Sequence, residues 1–294
     1  MDNNRCRNWL TTIGSLIRAQ NRFIPAMIFF FGIGFSAQAA DESPSGKVTA
    51  DSAEFQAHAK EAASAYKIQR GSDPAQELSF HHGSILRWSN PVGGKETHGE
   101  VFLWTDRGRP EVVLSLYEFV GSGDVVREQH EFCSLSSTKL TARTPQKALW
   151  APRAAGLKME PLPDAAAPAD SARARLREMR TYAERFTSDK TTREGVTRQL
   201  RLLTQPIYRY DGTHPEILDG ALYAYVEATD PEILLLIEAR SKDQGYEWTF
   251  GFARLNSVQL RAFYLEKTIW EASLLSWRDA LDRADEPYTA FRIR

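Results

Sequence analysis

The sequence predicts an α+β protein made by tandem duplication, in which each copy is a helix followed by an antiparallel β-meander and the two copies dock together. Three observations predict it. Ile85-Leu86-Arg87-Trp88 corresponds to Ile207-Tyr208-Arg209-Tyr210. Gly99–Tyr117 (GEVFLWTDRGRPEVVLSLY) corresponds to Gly220–Glu238 (GALYAYVEATDPEILLLIE), with Gly, Pro-Glu and a Leu identical. Phe132–Trp150 corresponds to Phe252–Trp270, where Phe132, Leu135, Ser137, Leu140, Ala142, Lys147 and Trp150 all recur. Alternation of apolar residues is common to any two strand-rich segments, but Gly, Pro-Glu, Lys and Trp in one order are not. The small drifts in offset fall in the polar stretches 89–98 and 120–129, where insertions are tolerated.

Residues 1–39 read as a secretory signal peptide. Arg5, Arg7, Arg18 and Arg22 precede the uncharged run Phe23–Phe35, and Ala37-Gln38-Ala39 is a small-x-small cleavage site. The other reading is an uncleaved anchor; the apolar run is about a dozen residues, and a spanning helix needs roughly 20. Export with cleavage near Ala39 is therefore expected, with 40–50 as a flexible mature N-terminus. The four Arg and one Asp of residues 1–39 leave together, so the net charge moves from −1 to −4. A mildly acidic chain without a basic run argues against a nucleic-acid partner. No later segment is long and apolar enough to be a transmembrane helix. Cys6 departs with the signal, and the remaining Cys133 cannot form an internal disulfide, so stability must come from a packed core.

The first copy spans 51–150. Phe55, Ala59, Ala62 and Tyr66 recur at helical spacing behind Ser52, a candidate N-cap. Strands are expected over 101–105 and 111–119 around a turn at Asp106–Pro110, then near 126–134 and 139–144. Pro152, Pro161, Pro163 and Pro168 mark 151–170 as a linker or a draped connection. The second copy spans 171–275. Leu176, Met179, Ala183 and Phe186 form a helical stripe behind Ser171, and Arg173, Arg175, Arg177, Arg180 and Arg185 read as its solvated surface. Strands are expected over 222–228 and 233–239 around Thr229-Asp230-Pro231, then near 247–254 and 259–266. Ile233–Ile237 is apolar on both faces, which requires two covers. Residues 276–294 are left as a C-terminal extension. Helix-then-meander is similar to cystatin and nuclear-transport-factor-like folds, a likeness that carries no function.

The blocks Gly99–Glu118, His130–Ser136, Arg201–Tyr210 and Asp230–Arg240 together resemble a group of exported bacterial proteins with no assigned function. That resemblance covers most of the mature chain and implies no activity, substrate or site.

The familiar catalytic motifs are absent: no G-x-S-x-G, C-x-x-C or H-E-x-x-H occurs, and Gly121-Ser122-Gly123 lacks the third glycine of a dinucleotide fingerprint. Histidine is unevenly placed, with His81, His82, His98 and His130 all in the first copy. They are candidates for a metal or catalytic site, but adjacent His81 and His82 would point apart on a strand, and no ligand spacing is diagnostic. No metal or other cofactor is expected. Cys133, three residues from His130, would face away from it and reads as buried. The pairs Phe102/Trp104 and Tyr223/Tyr225 are core or stacking platforms; apolar neighbours favour core. Trp150 and Trp270 are expected to close the base of each copy. Two functions stay open. One is an exported non-enzymatic binding or assembly protein for an unknown protein or envelope polymer. The other is an exported hydrolase of unfamiliar type with its site in the first copy.

Overall fold

The computed structural model describes residues 53–71, 76–91, 97–121, 123, 125–144 and 148–293. The expected signal peptide at 1–39, the segment 40–50 and the proposed cap Ser52 lie outside them. In chain order the first half holds α1 (Ala53–Ser64), β1 (Lys67–Arg70), β2 (Ser79–Phe80), β3 (Leu86–Asn90), β4 (Thr97–Asp106), β5 (Arg109–Val120), β6 (Val126–Ser134), β7 (Leu140–Arg143) and β8 (Ala148–Trp150). After β9 (Glu160–Pro161) come α2 (Ala172–Ala183), β10 (Phe186–Thr191), β11 (Thr197–Leu202), β12 (Tyr208–Asp211), β13 (Ile217–Glu227) and β14 (Asp230–Lys242). The chain continues through β15 (Gly245–Arg254), β16 (Gln259–Tyr264), β17 (Lys267–Ala272), α3 (Trp277–Ala280) and β18 (Tyr288–Arg292).

The predicted fold class is corrected here. The chain is mostly β, with 53% strand against 13% helix, and it is not an α+β helix-then-meander duplication. Among the described residues three antiparallel sheets form. One has three strands in the order β1-β7-β8. A second has six, β18-β6-β5-β4-β2, with β3 also on β4. A third has nine, β17-β16-β10-β11-β13-β14-β15-β9, with β12 also on β13. Two physical reasons explain the miss. The helical stripes end early: Tyr66 lies past the end of α1, and Phe186 opens β10. Segments set aside as connection and extension also supply strands. Glu160 pairs with Phe250, and Tyr288–Arg292 pairs with Gln129–Cys133 as an edge of the six-stranded sheet.

The six- and nine-stranded sheets pack face to face. Val101, Leu103, Val113 and Leu135 meet Leu222, Val226, Leu234 and Leu236 in one buried cluster. The outer face of the six-stranded sheet, with Phe102, Trp104, Leu114 and Phe132, is covered by Phe55, Ala59 and Ala63 of α1. The outer face of the nine-stranded sheet, with Tyr223, Tyr225, Ile233, Leu235 and Ile237, is covered by Met179, Tyr182 and Ala183 of α2. Alternate residues of Ile233–Ile237 thus enter different cores, and each fully buried aliphatic side chain contributes roughly 1.5–3 kcal/mol. The aromatic pairs are core, with Trp104 and Tyr225 each 1% exposed. Trp150 is buried likewise, whereas Trp270 lies at the edge of a cleft.

Each central hairpin tip is held by the opposite sheet. The β4–β5 turn is two residues, Arg107 and Gly108, both at positive φ (47° and 83°), which suits the right-handed twist of a hairpin. Tyr208 Oη donates to Gly108 O at 3.1 Å, and Thr213 Oγ1 donates to Arg107 O. At the β13–β14 turn, Ser89 N donates to Thr229 Oγ1 at 2.7 Å, and that hydroxyl donates to Ser89 O at 2.9 Å. Ser171 caps α2 as expected, accepting from Ala174 N. One arginine of α2 departs from the solvated reading. Arg175 is 6% exposed and donates to Asp219 on β13 at 2.9 Å. No helix among the described residues is long and apolar enough to cross a membrane.

Candidate functional site

The seam between the packed sheets is apolar in the middle and ionic at both ends. Strand β5 begins Arg109-Pro110-Glu111, and strand β14 begins Asp230-Pro231-Glu232. Each therefore carries a glutamate into the sandwich, and a buried carboxylate needs a partner.

At the first end the partner is Arg109, itself 4% exposed. Its Nε donates to Glu238 Oε1 at 2.8 Å, and its Nη1 donates to Glu111 Oε1 at 2.8 Å and to Leu135 O at 3.2 Å. Arg70 Nη2 reaches Asp106 Oδ2 at 2.9 Å and Glu111 Oε1 at 3.0 Å. Tyr210 Oη also donates to Glu238 Oε1. Two buried carboxylate oxygens, Glu111 Oε2 and Glu238 Oε2, receive no hydrogen bond. This network walls a cleft of about 510 Å³ between the β4–β5 turn, the segment after β6 and the β12–β13 connection. Arg107, Ser137, His214 and Arg240 line its mouth. A concave volume of a few hundred Å³ with convergent polar groups is the usual form of a small-ligand site.

At the mouth His214 lies among charges of both signs. Burial, then Arg107 and Arg109, pull the His214 imidazole below its ordinary value, outweighing Asp106 and Glu216. Asp106 stays ionised: burial raises it, but hydrogen bonds from Arg107 and Arg70 more than compensate.

The second end is acid-rich. Glu131 Oε1 accepts from Tyr117 Oη at 3.0 Å, Gln129 Nε2 at 3.1 Å and Tyr288 Oη at 3.0 Å. Burial nevertheless pushes its carboxyl up to about 7, and nearby Glu232 adds to the rise. Some solvent still reaches the residue. Asp230 is raised well above the usual carboxylate range by burial and by Glu232, although Asn90 Nδ2 donates to it at 3.1 Å. Burial also raises Glu232, while Lys190 draws it down. Lys190 lies between Glu232 and Glu227. Burial lowers its pKa, but the two carboxylates outweigh that.

A further cleft of about 440 Å³ is lined by Phe252, Arg254, Trp270 and Tyr288. Its central cation is already engaged: Arg254 donates to the carbonyls of Asn256 at 2.8 Å, Ser273 at 3.0 Å and Val258 at 2.7 Å.

The histidines do not assemble into one site. His81 and His82 are exposed near β2, with His81 against the Tyr208 ring. His98 and His130 are buried on the α1 side of the six-stranded sheet. His98 packs on Phe55, with ring centroids 4.8 Å apart. His130 Nδ1 accepts from Tyr66 Oη at 2.6 Å, and its Nε2 donates to Glu128 Oε1 at 2.8 Å. The other oxygen of Glu128 takes His58 Nε2 at 2.8 Å. This chain ties α1 and Tyr66, two residues past its end, to β6, and His58 at its outer end meets solvent. Cys133 is buried on the opposite, inter-sheet face, where burial pushes its thiol up to about 12, so it is protonated at neutral pH. Among the described residues, no group of three or more His, Cys, Asp and Glu is placed to hold a metal ion.

The cleft residues were not singled out in the sequence. The signal that could have found them is the charge inside apolar strands: Glu111 before VVLSL and Glu238 after ILLLI. No protein-family model, curated protein or solved structure matches the chain.

Proposed function

We propose that the chain is an exported binding protein that takes a small polar unit, such as the end group of an envelope polymer, in the 510 Å³ cleft. One observation carries this reading: the cleft wall is a pre-arranged ion network contributed by both sheets, with Arg109 fixed simultaneously by Glu111 and Glu238. A wall whose side chains are already held loses little further freedom on binding. Ser137 lines the cleft, is exposed, and lies outside the network. Ser137→Trp is therefore expected to fill the cleft and abolish ligand capture from a library of small polar molecules, with the melting temperature unchanged. A variant that still captures the same ligands with unaltered affinity rules the cleft out as the site. Export is supported by the basic, apolar and small-residue order of residues 1–39. Intact mass of the protein recovered from the producing cell should correspond to a start at or just after Ala40, and a chain beginning at Met1 would contradict it.

A second reading, hydrolysis, is favoured by one feature. Glu131 on β6 titrates near neutrality beside two tyrosine hydroxyls, the condition of a general acid. Turnover of ester, glycoside, phosphate or peptide substrates that disappears in Glu131→Gln, with folding intact, would establish it. Turnover that survives the substitution would exclude Glu131 from the chemistry.

A further inference from the structure

Resting on the cleft as the binding site, we propose that its ligand is a carboxylate that also bears hydroxyl or amino hydrogen-bond donors, gripped at the mouth by Arg240, Arg107 and His214. The argument is an inventory of which donors and acceptors are already used.

On the inner wall the cations are engaged. Arg70 serves Asp106, Glu111 and Thr138, and Arg109 serves Glu238, Glu111 and Leu135 O. At the mouth they are engaged only in part. The Arg240 side chain makes no hydrogen bond among the described residues; it forms long ion pairs with Glu238 Oε2 at 3.6 Å and Glu216 Oε2 at 3.7 Å, both outside hydrogen-bond reach. Glu216 is itself 67% exposed and hydrated. The Arg107 guanidinium spends two N–H groups on its neighbour Asp106, at 3.4 Å each, and its others are unused among the described residues. His214 Nδ1 accepts from Glu216 N at 3.3 Å, which places the ring proton on Nε2, and Nε2 has no acceptor. Three groups with unspent N–H donors therefore border one concave volume, whose lining sets four arginines against four carboxylates. A planar carboxylate matches the fork of a guanidinium in two parallel bonds.

The donor requirement comes from the wall. Glu111 is 1% exposed and lines the cleft, and its Oε2 receives no hydrogen bond. A buried carboxylate oxygen without a donor is costly, and Oε2 is closed to solvent, so a small shift of the wall on binding would let a ligand hydroxyl or amine supply what is missing. A plain anion would meet the mouth and leave the wall unsatisfied. A neutral polyol would do the reverse.

The test uses the full mature chain and matched probe pairs: D-glucuronate against D-glucose, and L-alanine against L-alaninamide. Affinities are read by titration calorimetry or ligand-observed NMR. In at least one pair the carboxylate member should bind about tenfold or more tighter than its neutral partner. Arg240→Gln should erase that difference, and His214→Gln should reduce it. Arg240→Gln loses only the long pairs to Glu238 and Glu216, while Arg109 and Tyr210 still hold Glu238, so the fold is expected to survive, and the variant's melting temperature checks it. Neutral members that bind as tightly as the carboxylates, with Ser137→Trp abolishing both, would overturn the carboxylate inference and leave the cleft standing as a site. Tighter carboxylate binding that survives both Arg240→Gln and Ser137→Trp would place the anion elsewhere and overturn it too. Failure of every probe at millimolar concentration also overturns it, while the library screen with Ser137→Trp decides the cleft separately.

Discussion

Glu131→Gln is expected to stabilise the protein at mildly alkaline pH and to leave it nearly unchanged in acid. The folded carboxyl titrates at about 7 against an ordinary value of 4.5, because burial disfavours its charge more than Tyr117, Tyr288 and Gln129 favour it. Below the ordinary value both folded and unfolded chains hold the proton, and the group contributes nothing to the pH dependence. Between 4.5 and about 7 the folded chain keeps a proton that the unfolded chain has released, so stability falls as pH rises. Above about 7 the full cost is present, about 3 kcal/mol at most for a shift of this size. Partial solvent access to Glu131 makes this an upper figure. Glutamine cannot ionise, still offers an oxygen to the two phenols, and puts an amide in place of Oε2. Asp230 and Glu232 are shifted in the same direction, and removing the neighbouring charge eases both. Urea unfolding at about pH 5 and about pH 8 checks this. The variant should exceed the parent by roughly 1–3 kcal/mol at the higher pH and match it at the lower. A variant less stable than the parent at both would mean that the Glu131 charge is needed by its hydrogen-bond partners.

That the acid end was invisible beforehand has a definite cause. Glu131, Asp230, Lys190 and Tyr288 come from four distant strands, and only the packing of β6 and β18 against β14 and β10 brings them near one another. The hairpins, by contrast, were legible. Gly108 and the two Pro-Glu steps are local signals, and β6 over Val126–Ser134 falls where the alternation put it. The double apolarity of Ile233–Ile237 also reported its two covers, α2 and the opposing sheet. Fold class was misjudged because helical periodicity weighs every match equally. α1 and α2 are only 12 residues each, and Tyr66 and Phe186 belong to the chain beyond them. Nor does any local pattern in Tyr288–Arg292 announce that it will pair with β6, some 157 residues away at Tyr288 and Glu131. Histidine asymmetry did not bring its members together: His98 and His130 are bound up under α1, and the cleft is lined by His214 of the second half.

The largest loss is expected from Arg109→Met. Arg109 neutralises Glu238, which is 0% exposed, and shares Glu111 with Arg70. Methionine fills much of the same volume but removes the charge, leaving Glu238 with Tyr210 Oη and an Arg240 at 3.6 Å. Breaking one side of a buried ion pair costs about 3–5 kcal/mol, because the abandoned charge has no water and only the more distant Arg240 as counter-ion. Glu111 is cushioned, since Arg70 Nη2 still reaches it at 3.0 Å. The cost should therefore trace to Glu238, and the double variant Arg109→Met/Glu238→Gln tests that directly. Glutamine keeps an acceptor for Tyr210 without a charge, so the double variant should regain more than about 1 kcal/mol of what the single one lost. Chemical denaturation at neutral pH measures both. High salt should change the single variant's deficit little, because buried pairs are weakly screened. A deficit below about 1 kcal/mol, or one that Glu238→Gln fails to relieve, would mean that the seam is held by the apolar contacts of Leu103, Leu234 and Leu236 alone and that the ion network serves only the cleft.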